Sequence, residues 1–432
     1  MTPARGHLVG LAHDAVIGGA VALLVLACGA AAGSAAVAGW RWTATASPGY
    51  DTFVQRYSLA LDDTVESVSE FDLALGAEGR TSAGGRHDWT VRPRLSTGSE
   101  RTRGQLDWEY VLRPDALAPA LRVAGSAQAV RYNDDTAYNL SSDHAEGALS
   151  ARWQLGRGGA AAWEARASAS TLRYADPSEL EPQRSDWSAG FAAVSAAGCA
   201  DRWRAGLRYG RRTYPDTTEI DRAALGLDLA WSHDPFDGPA WRVDGRSERR
   251  KVRVSAVRPS AWSHVVDGEV SAPVGAWRAV VAAALECWRY DDEWGAYADQ
   301  TRLENRAAVR TGGVFGPLWE LGVVRESLAS HAAGESYVQW GGCGGVETYG
   351  ESLTLMLTLE AGRRDYDEAA ADDLLGALYT DFTYVEIGLN LSWTLSDRLR
   401  LDGMAQYLPE SHAADEDDQS LGFGSLRLAC RF

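Results

Sequence analysis

Residues 398–408 read RLRLDGMAQYL. Leu399, Leu401, Gly403, Ala405 and Tyr407 fall on one side of an extended chain, and Arg398, Arg400, Asp402 and Gln406 on the other. Helical spacing would scatter the same apolar residues around an axis, so the period of two specifies a strand with one apolar and one polar face. The pattern recurs. YVEIGLNLSW groups Val385, Ile387, Leu389, Leu391 and Trp393 against Glu386, Asn390 and Ser392. SLTLMLTLE aligns Leu353, Leu355, Leu357 and Leu359, and RAALGLDLAW aligns Ala223, Leu225, Leu227, Leu229 and Trp231. From about residue 50 onward the chain is a succession of such segments, about 10 to 16 residues each, separated by Gly, Pro, Asp and Asn clusters.

Composition agrees with long strands rather than helices. Of the 432 residues 45% are hydrophobic, yet beyond the N-terminus no apolar run approaches the ~20 residues of a spanning helix. Trp (17) and Tyr (16) outnumber Phe (8) and Met (3), which suits extensive boundaries between apolar and wet surroundings. A net charge of −17 and a pI near 5.0 argue against a nucleic-acid partner. Lys251 is the only lysine, a bias that a GC-rich genome explains. Cys199, Cys287, Cys343 and Cys430 are isolated, with no metal-type spacing.

Alternation alone fits a soluble sandwich as well as a barrel in lipid, and two features separate them. Soluble strands average about 5 to 6 residues and tilted bilayer strands about 9 to 11; most segments here reach or exceed the longer figure. Arg202, Arg204, Arg208 and Arg212 share one strand face. Such a row is intolerable in a packed core but acceptable in a watery lumen.

The chain ends in GSLRLACRF, with Phe432, Cys430, Leu428 and Leu426 alternating on one face. This resembles the terminal strand of bacterial outer-membrane β-barrel proteins. The resemblance implies that these four residues are the signal read by the barrel-assembly machinery. It also implies a transmembrane, antiparallel, up-and-down all-β barrel, porin-like; counting one strand per apolar run back from Phe432 gives about 20 strands, with a range of 16 to 22. Its strands run from near FVQRYSLAL at Phe53 to a last strand starting at Gln419. Short turns (GRGG at Gly156, GCAD at Gly198, PVGA at Pro273, LSDR at Leu395) are expected on the periplasmic side. Longer acidic links (NDDTAYNLSSD, ADPSELEPQR, DDEWGAYADQ, DYDEAAADDLLG) are expected outside. Residues 1–38 read as a cleavable signal peptide: Arg5 and His7, an apolar stretch from Ala15 to Ala27, then AVA before Gly39. Cys28 loosely imitates a lipoprotein box, but Leu26 is large for its position. Residues 39–49 read as a short N-terminal segment and 50–432 as the barrel.

Strand parity gives meaning to a recurrent Arg-Tyr-acid pattern, of which WRYDDEW from Trp288 is the fullest case. Arg131, Arg173, Arg211, Arg289 and Arg363 each end an apolar face, and Arg249, Lys251 and Arg253 extend the set. Trp163, Trp203, Trp241 and Trp277 start apolar faces at the opposite end, as a periplasmic aromatic girdle. From Trp163 to Arg173 is ~33 Å of strand, or ~25 Å after tilt, the height of the apolar band. The arginines therefore sit at an outer rim, where they snorkel to headgroups or clamp lipopolysaccharide phosphates. Opposite parity turns Trp288 and Tyr290 inward.

The lumen charges predicted by parity are Arg202, Arg204, Arg208, Arg212, Arg222, Asp228, Arg242, Asp244, Arg246 and Glu248. They either set the charge selectivity of a diffusion channel for small solutes or ions, or pair across strands to stiffen the wall. The alternative function is a scaffold or conduit whose lumen houses a partner for secretion, polymer export or electron transfer, and a homo-oligomer is a further expectation. An enzyme is disfavoured: His87, His144, His233, His264, His331 and His412 lie beside no nucleophile elbow, and GGCGG at 341–345 lacks a following Lys-Ser/Thr. Glycine there fits a bend or close packing. No cofactor and no resident metal are expected; the acid clusters at Asp365, Asp367, Glu368, Asp372 and Asp373, and at Asp415, Glu416, Asp417 and Asp418, lack fixed ligand spacing.

Overall fold

The computed structural model describes residues 40–432 except 60–61, 84–85, 114–120, 133–142, 156–160, 177–181, 196–200, 236–237, 294–296, 312–315, 333, 368–379 and 413–417. The signal-peptide reading, Cys28 and Cys199 fall outside the described residues. Twenty strands follow one another. In chain order they are β1 (Arg41–Leu59), β2 (Asp62–Ala83), β3 (His87–Gly98), β4 (Arg101–Leu112), β5 (Leu121–Tyr132), β6 (His144–Leu155) and β7 (Ala161–Tyr174). Next come β8 (Arg184–Ser195), β9 (Asp201–Thr213), β10 (Arg222–His233), β11 (Ala240–Val252), β12 (Ala261–Val274) and β13 (Trp277–Tyr290). The circuit finishes with β14 (Gln300–Thr311), β15 (Leu318–Ser330), β16 (Tyr337–Tyr349), β17 (Leu353–Tyr366), β18 (Phe382–Ser396), β19 (Leu399–His412) and β20 (Gln419–Arg431).

Every strand pairs antiparallel with the next in sequence, and β20 closes onto β1, so the sheet is a barrel without free edges. The expected strand number and the start of the last strand agree with this structure. The strand ends joined by GRGG, GCAD, PVGA and LSDR lie at the end that holds Arg41 and Phe432, and the four acidic links join strands at the other end. Short turns mark the periplasmic end of bacterial barrels and long loops the external end.

The distribution of side chains is the reverse of a soluble protein's. Leu321 is 69% exposed and Leu207 60%, while Glu164, at 0%, is among the most deeply buried large side chains. In water this pattern is unstable, because apolar area would stay wet and a charge would be desolvated. Around a barrel in lipid it is the expected one: apolar side chains meet hydrocarbon and charges meet the lumen.

Cross-strand partners share a face, so the registers carry that assignment around the circuit. Leu227 of β10, for example, is paired with Leu207 of β9 and Ser247 of β11 on the outer face, midway along its strand. Leu227→Arg is expected to cost about 2–4 kcal/mol in lipid, the range for a charge at bilayer mid-depth. Urea titration of barrels folded into vesicles checks this; an unchanged midpoint would place Leu227 elsewhere than in hydrocarbon.

One boundary is corrected. β1 begins at Arg41, so residues 41–49, read above as a segment preceding the barrel, form the first half of its first strand. Pro48 and Gly49 lie inside this strand. The ladder from β1 to β2 is continuous through them, whereas the ladder to β20 skips Ser47 and Pro48. A proline lacks its donor toward one neighbour only, and the other ladder holds the strand. Gly49 is required for a different reason. A Cβ there would sit 2.4 Å from Asp72 Oδ1 and 2.9 Å from Arg427 Nη2, two groups that form an ion pair of 3.0 Å beneath it.

Candidate functional site: lumen wall and external rim

The registers bring the candidate lumen charges onto one inner wall. Arg212 is paired with Arg222, Arg202 with Ser232, Asp228 with Arg246, and Ser232 with Arg242. Arg202, Arg204, Arg208 and Arg212 of β9, Arg222 and Asp228 of β10, and Arg242, Asp244, Arg246 and Glu248 of β11 therefore face inward together. Many are cross-linked. Arg208 Nη2 donates to Glu248 Oε2 at 2.9 Å and Arg246 Nε to Asp228 Oδ1 at 3.0 Å. Arg212 binds Asp186 and Arg242 binds Asp244. Such bonds stiffen a wall and still leave guanidinium edges to solutes.

Glu164 is the centre of the tightest network. It accepts from Arg152 Nε at 2.5 Å and from Arg166 Nε, with Arg204 Nη2 at 3.7 Å. The sequence reading missed this residue. It lies on the inner face of β7, a position parity marks as polar, but nothing in the chain says which arginines will surround it.

Cavities open along the wall. One of 740 Å³ is lined by Arg184, Arg208, Arg212, Arg222 and Glu248 among others, and one of 450 Å³ by Glu164, Arg204, Asp228 and Arg246. A third, of 820 Å³, lies toward the chain termini beside Arg41, Arg80, Asp88 and Arg431.

At the external end the inner face turns aromatic. Trp288 and Tyr290 point inward, and Arg250 lies over the Trp288 ring at 5.0 Å. Further round the wall, on β16 to β18, Arg364 lies 4.1 Å from the Tyr337 ring centroid and 5.2 Å from that of Phe382. Tyr384 is held beside them: it donates to Glu360 at 2.6 Å and accepts from Gln339 at 2.7 Å. Its hydroxyl lies where a Cβ at Gly341 or Gly362 would come within 2.9 or 2.8 Å. Gly341 of the GGCGG stretch and Gly362 of the next strand thus make room for a tyrosine, the close-packing role expected of strand glycines.

On the outer face Arg131, Arg173, Arg211, Arg249, Lys251, Arg289 and Arg363 stand at the external end of their strands, and Arg253 just beyond β11. Their neighbours were not foreseen. Trp187 is paired with Arg211, Trp262 with both Arg249 and Arg289, and Trp340 with Arg363. Arg249 lies 5.5 Å from the Trp262 ring. The signal was present in the tryptophans that open the returning strands, at Asp186-Trp187, Ala261-Trp262 and Gln339-Trp340, but register is needed to seat them beside arginine.

Several rim cations are also held by acids of the same chain. Arg249 grips Asp291 with both terminal nitrogens, Arg289 is 3.7 Å from Asp299, and Arg363 meets Asp365 and Asp381. The hydrogen bonds from Arg249 hold the Asp291 carboxyl below the usual carboxylate range. Arg131, Arg211 and Lys251 form no ion pair among the described residues. Trp163, Trp203, Trp241 and Trp277 face outward at the opposite end, joined by Trp231, whose ring meets that of Trp241 edge-on at 4.5 Å.

Among the described residues, Glu293, Asp299 and His331 bring ligand atoms within 4.8 Å of one another and could hold a cation. Asp299 is already engaged, accepting from the Tyr290 amide at 2.7 Å. Glu368, Asp372, Asp373, Asp415, Glu416 and Asp417 of the acid clusters lie outside the described residues. Phe432, Cys430, Leu428 and Leu426 share the outer face of the closing strand.

No protein-family model and no curated protein matches this chain. Solved structures do. The FrpB iron transporter from Neisseria meningitidis superposes with a TM-score of 0.58 at 11% identity, covering 91% of this chain and 81% of its own. The copper transporter OprC gives 0.56 at 9% identity, covering 91% and 80%. The siderophore receptor PirA from Pseudomonas aeruginosa gives 0.54 at 10% identity, again covering 91% and 80%. At such identities the likeness is one of fold. The chain is a closed 20-stranded antiparallel β-barrel that shares its fold with these transporters and this receptor and has an arginine-rich inner wall.

Proposed function

We propose that the barrel is a passive channel for small hydrophilic solutes across the outer membrane. The observation that carries this reading is the lumen: charged and polar side chains of the strands themselves make up most of the lining of its cavities, with small residues between them. A barrel of this strand number has an interior that side chains alone do not fill.

The charge on the wall is also unevenly placed. From β6 to β11 inward arginines outnumber the inward acids Glu146, Glu164, Asp186, Asp228, Asp244 and Glu248. About half a circuit away, from β16 to β19, the inward acids Glu347, Glu360, Glu386, Asp402 and Glu410 face only Arg364 and Arg400. A solute in transit experiences a field across the lumen as well as along it. Such a field aligns dipolar solutes and sieves poorly by net charge.

Purified protein reconstituted in a planar bilayer is expected to give discrete, ohmic conductance steps with weak discrimination between potassium and chloride. Silent membranes containing demonstrably folded barrel would overturn the channel and favour a lumen occupied by a partner.

A further inference from the structure

Arg222 is a poorly compensated cation of the inner wall. It faces Arg212 directly across the β9–β10 ladder. The charged groups acting on it most strongly are Arg250, Arg212 and Arg258, with the Tyr214 hydroxyl. The carboxylates near this group are already in use: Asp186 binds Arg212, Glu248 is shared by Arg208 and Arg250, and Asp299 lies 3.7 Å from Arg289 and accepts from the Tyr290 amide. Among the described residues Arg222 and Arg258 form no ion pair and no side-chain hydrogen bond.

Aromatic rings hold the arginines from behind. Arg250 lies over Trp288 at 5.0 Å and Arg258 over Tyr297 at 5.8 Å, with Tyr290 beside both. Arg212 and Arg222 also line the 740 Å³ cavity of the lumen. Self-repulsion of this kind opposes the folded state, and an anion bound among these groups would relieve it.

We propose that Arg212, Arg222, Arg250 and Arg258 form a binding site, at the external end of the lumen, for a small solute carrying two or more carboxylate groups. Planar guanidinium forks match carboxylates two bonds at a time, and several forks converging on one space select for several anionic groups over one. The aromatic backing restricts the arginines' rotamers and so lowers the ordering cost of binding. The links outside the barrel are acidic, so recognition comes from these short-range forks and not from a long-range pull; at 0.15 M salt, charges more than ~8 Å apart are largely screened. The site deepens the channel reading and rests on it only in that a solute must be able to enter the lumen.

The test is isothermal titration of the folded full-length barrel in detergent, at 0.15 M salt, with tricarballylate as a tricarboxylate and acetate as a monoanion. Tricarballylate is expected to bind at least tenfold more tightly than acetate. Arg222→Gln should lose at least tenfold of that affinity with its melting temperature unchanged or raised, because a like charge has been removed. Arg222→Lys should fall between the two, keeping the charge without the fork, and Arg278→Gln should bind as the parent does. Equal binding of both probes, or an Arg222→Gln barrel that binds like the parent, would overturn the site.

The bilayer recording separates this result from the channel reading. Conductance without selective binding removes the site alone, and selective binding in a silent barrel removes the channel alone.

Discussion

Glu164→Gln is expected to destabilise the barrel by about 2–3 kcal/mol, among the largest losses for any single neutralisation on the inner wall. Breaking a buried ion pair typically costs about 3–5 kcal/mol because the remaining charge stays buried without a partner. Here the remaining charges are Arg152, Arg166 and Arg204, whose side chains are 46%, 46% and 31% exposed. Lumen water screens part of their repulsion, which is the reason for the lower figure. Asp244→Asn provides the contrast: it breaks a pair with an arginine that is largely exposed, and should cost no more than about 0.5 kcal/mol.

Denaturant titration in vesicles measures both substitutions. The Glu164→Gln deficit should shrink in high salt and should be partly relieved by adding Arg166→Gln, since each weakens repulsion among the arginines. A Glu164→Gln barrel within 0.5 kcal/mol of the parent, at low and high salt alike, would show that the network has no structural role.

The contrast between Glu164 and the strand pattern shows where sequence reading stops. Face assignment depends on parity alone, and parity is local: once Leu207 is outward, Arg208 is inward, whatever lies on the next strand. That is why the strands, the rim arginines and the inner row of β9 were legible in the chain. Partnership depends on register, which pairs residues tens to hundreds of positions apart, such as Arg208 with Glu248 or Arg427 with Asp72. No periodicity encodes that Arg222 opposes Arg212, or that Trp262 stands between Arg249 and Arg289.

The boundary error at β1 has a related cause. Pro48 and Gly49 are turn residues by local preference, and only the two flanking ladders show that one can lack a donor and the other can make room for an ion pair without breaking the strand. Local preference at these two residues is overruled by the neighbouring strands.

Deleting Phe432 is expected to reduce the folded barrel in the outer membrane to a small fraction of the parent's while leaving the stability of the refolded protein nearly intact. The two quantities separate because the residue contributes little to the finished structure. Its side chain is 72% exposed on the outer face, and its amide donates one hydrogen bond to the Ala44 carbonyl, at 2.9 Å, across the closing seam. Losing that bond costs about 1 kcal/mol, small beside the ladder that joins β20 to β1 along most of its length. If GSLRLACRF is the signal its resemblance implies, its cost is kinetic: without the terminal aromatic the last strand is not captured, and the seam is not offered to β1 for closure. Heat-modifiable mobility of membrane fractions measures assembly in the cell, and urea titration after refolding in detergent measures stability. Normal levels of the Phe432-deleted barrel in the outer membrane would remove the assembly role. A large loss of stability in detergent, with assembly falling in proportion, would instead make Phe432 a structural clasp of the seam.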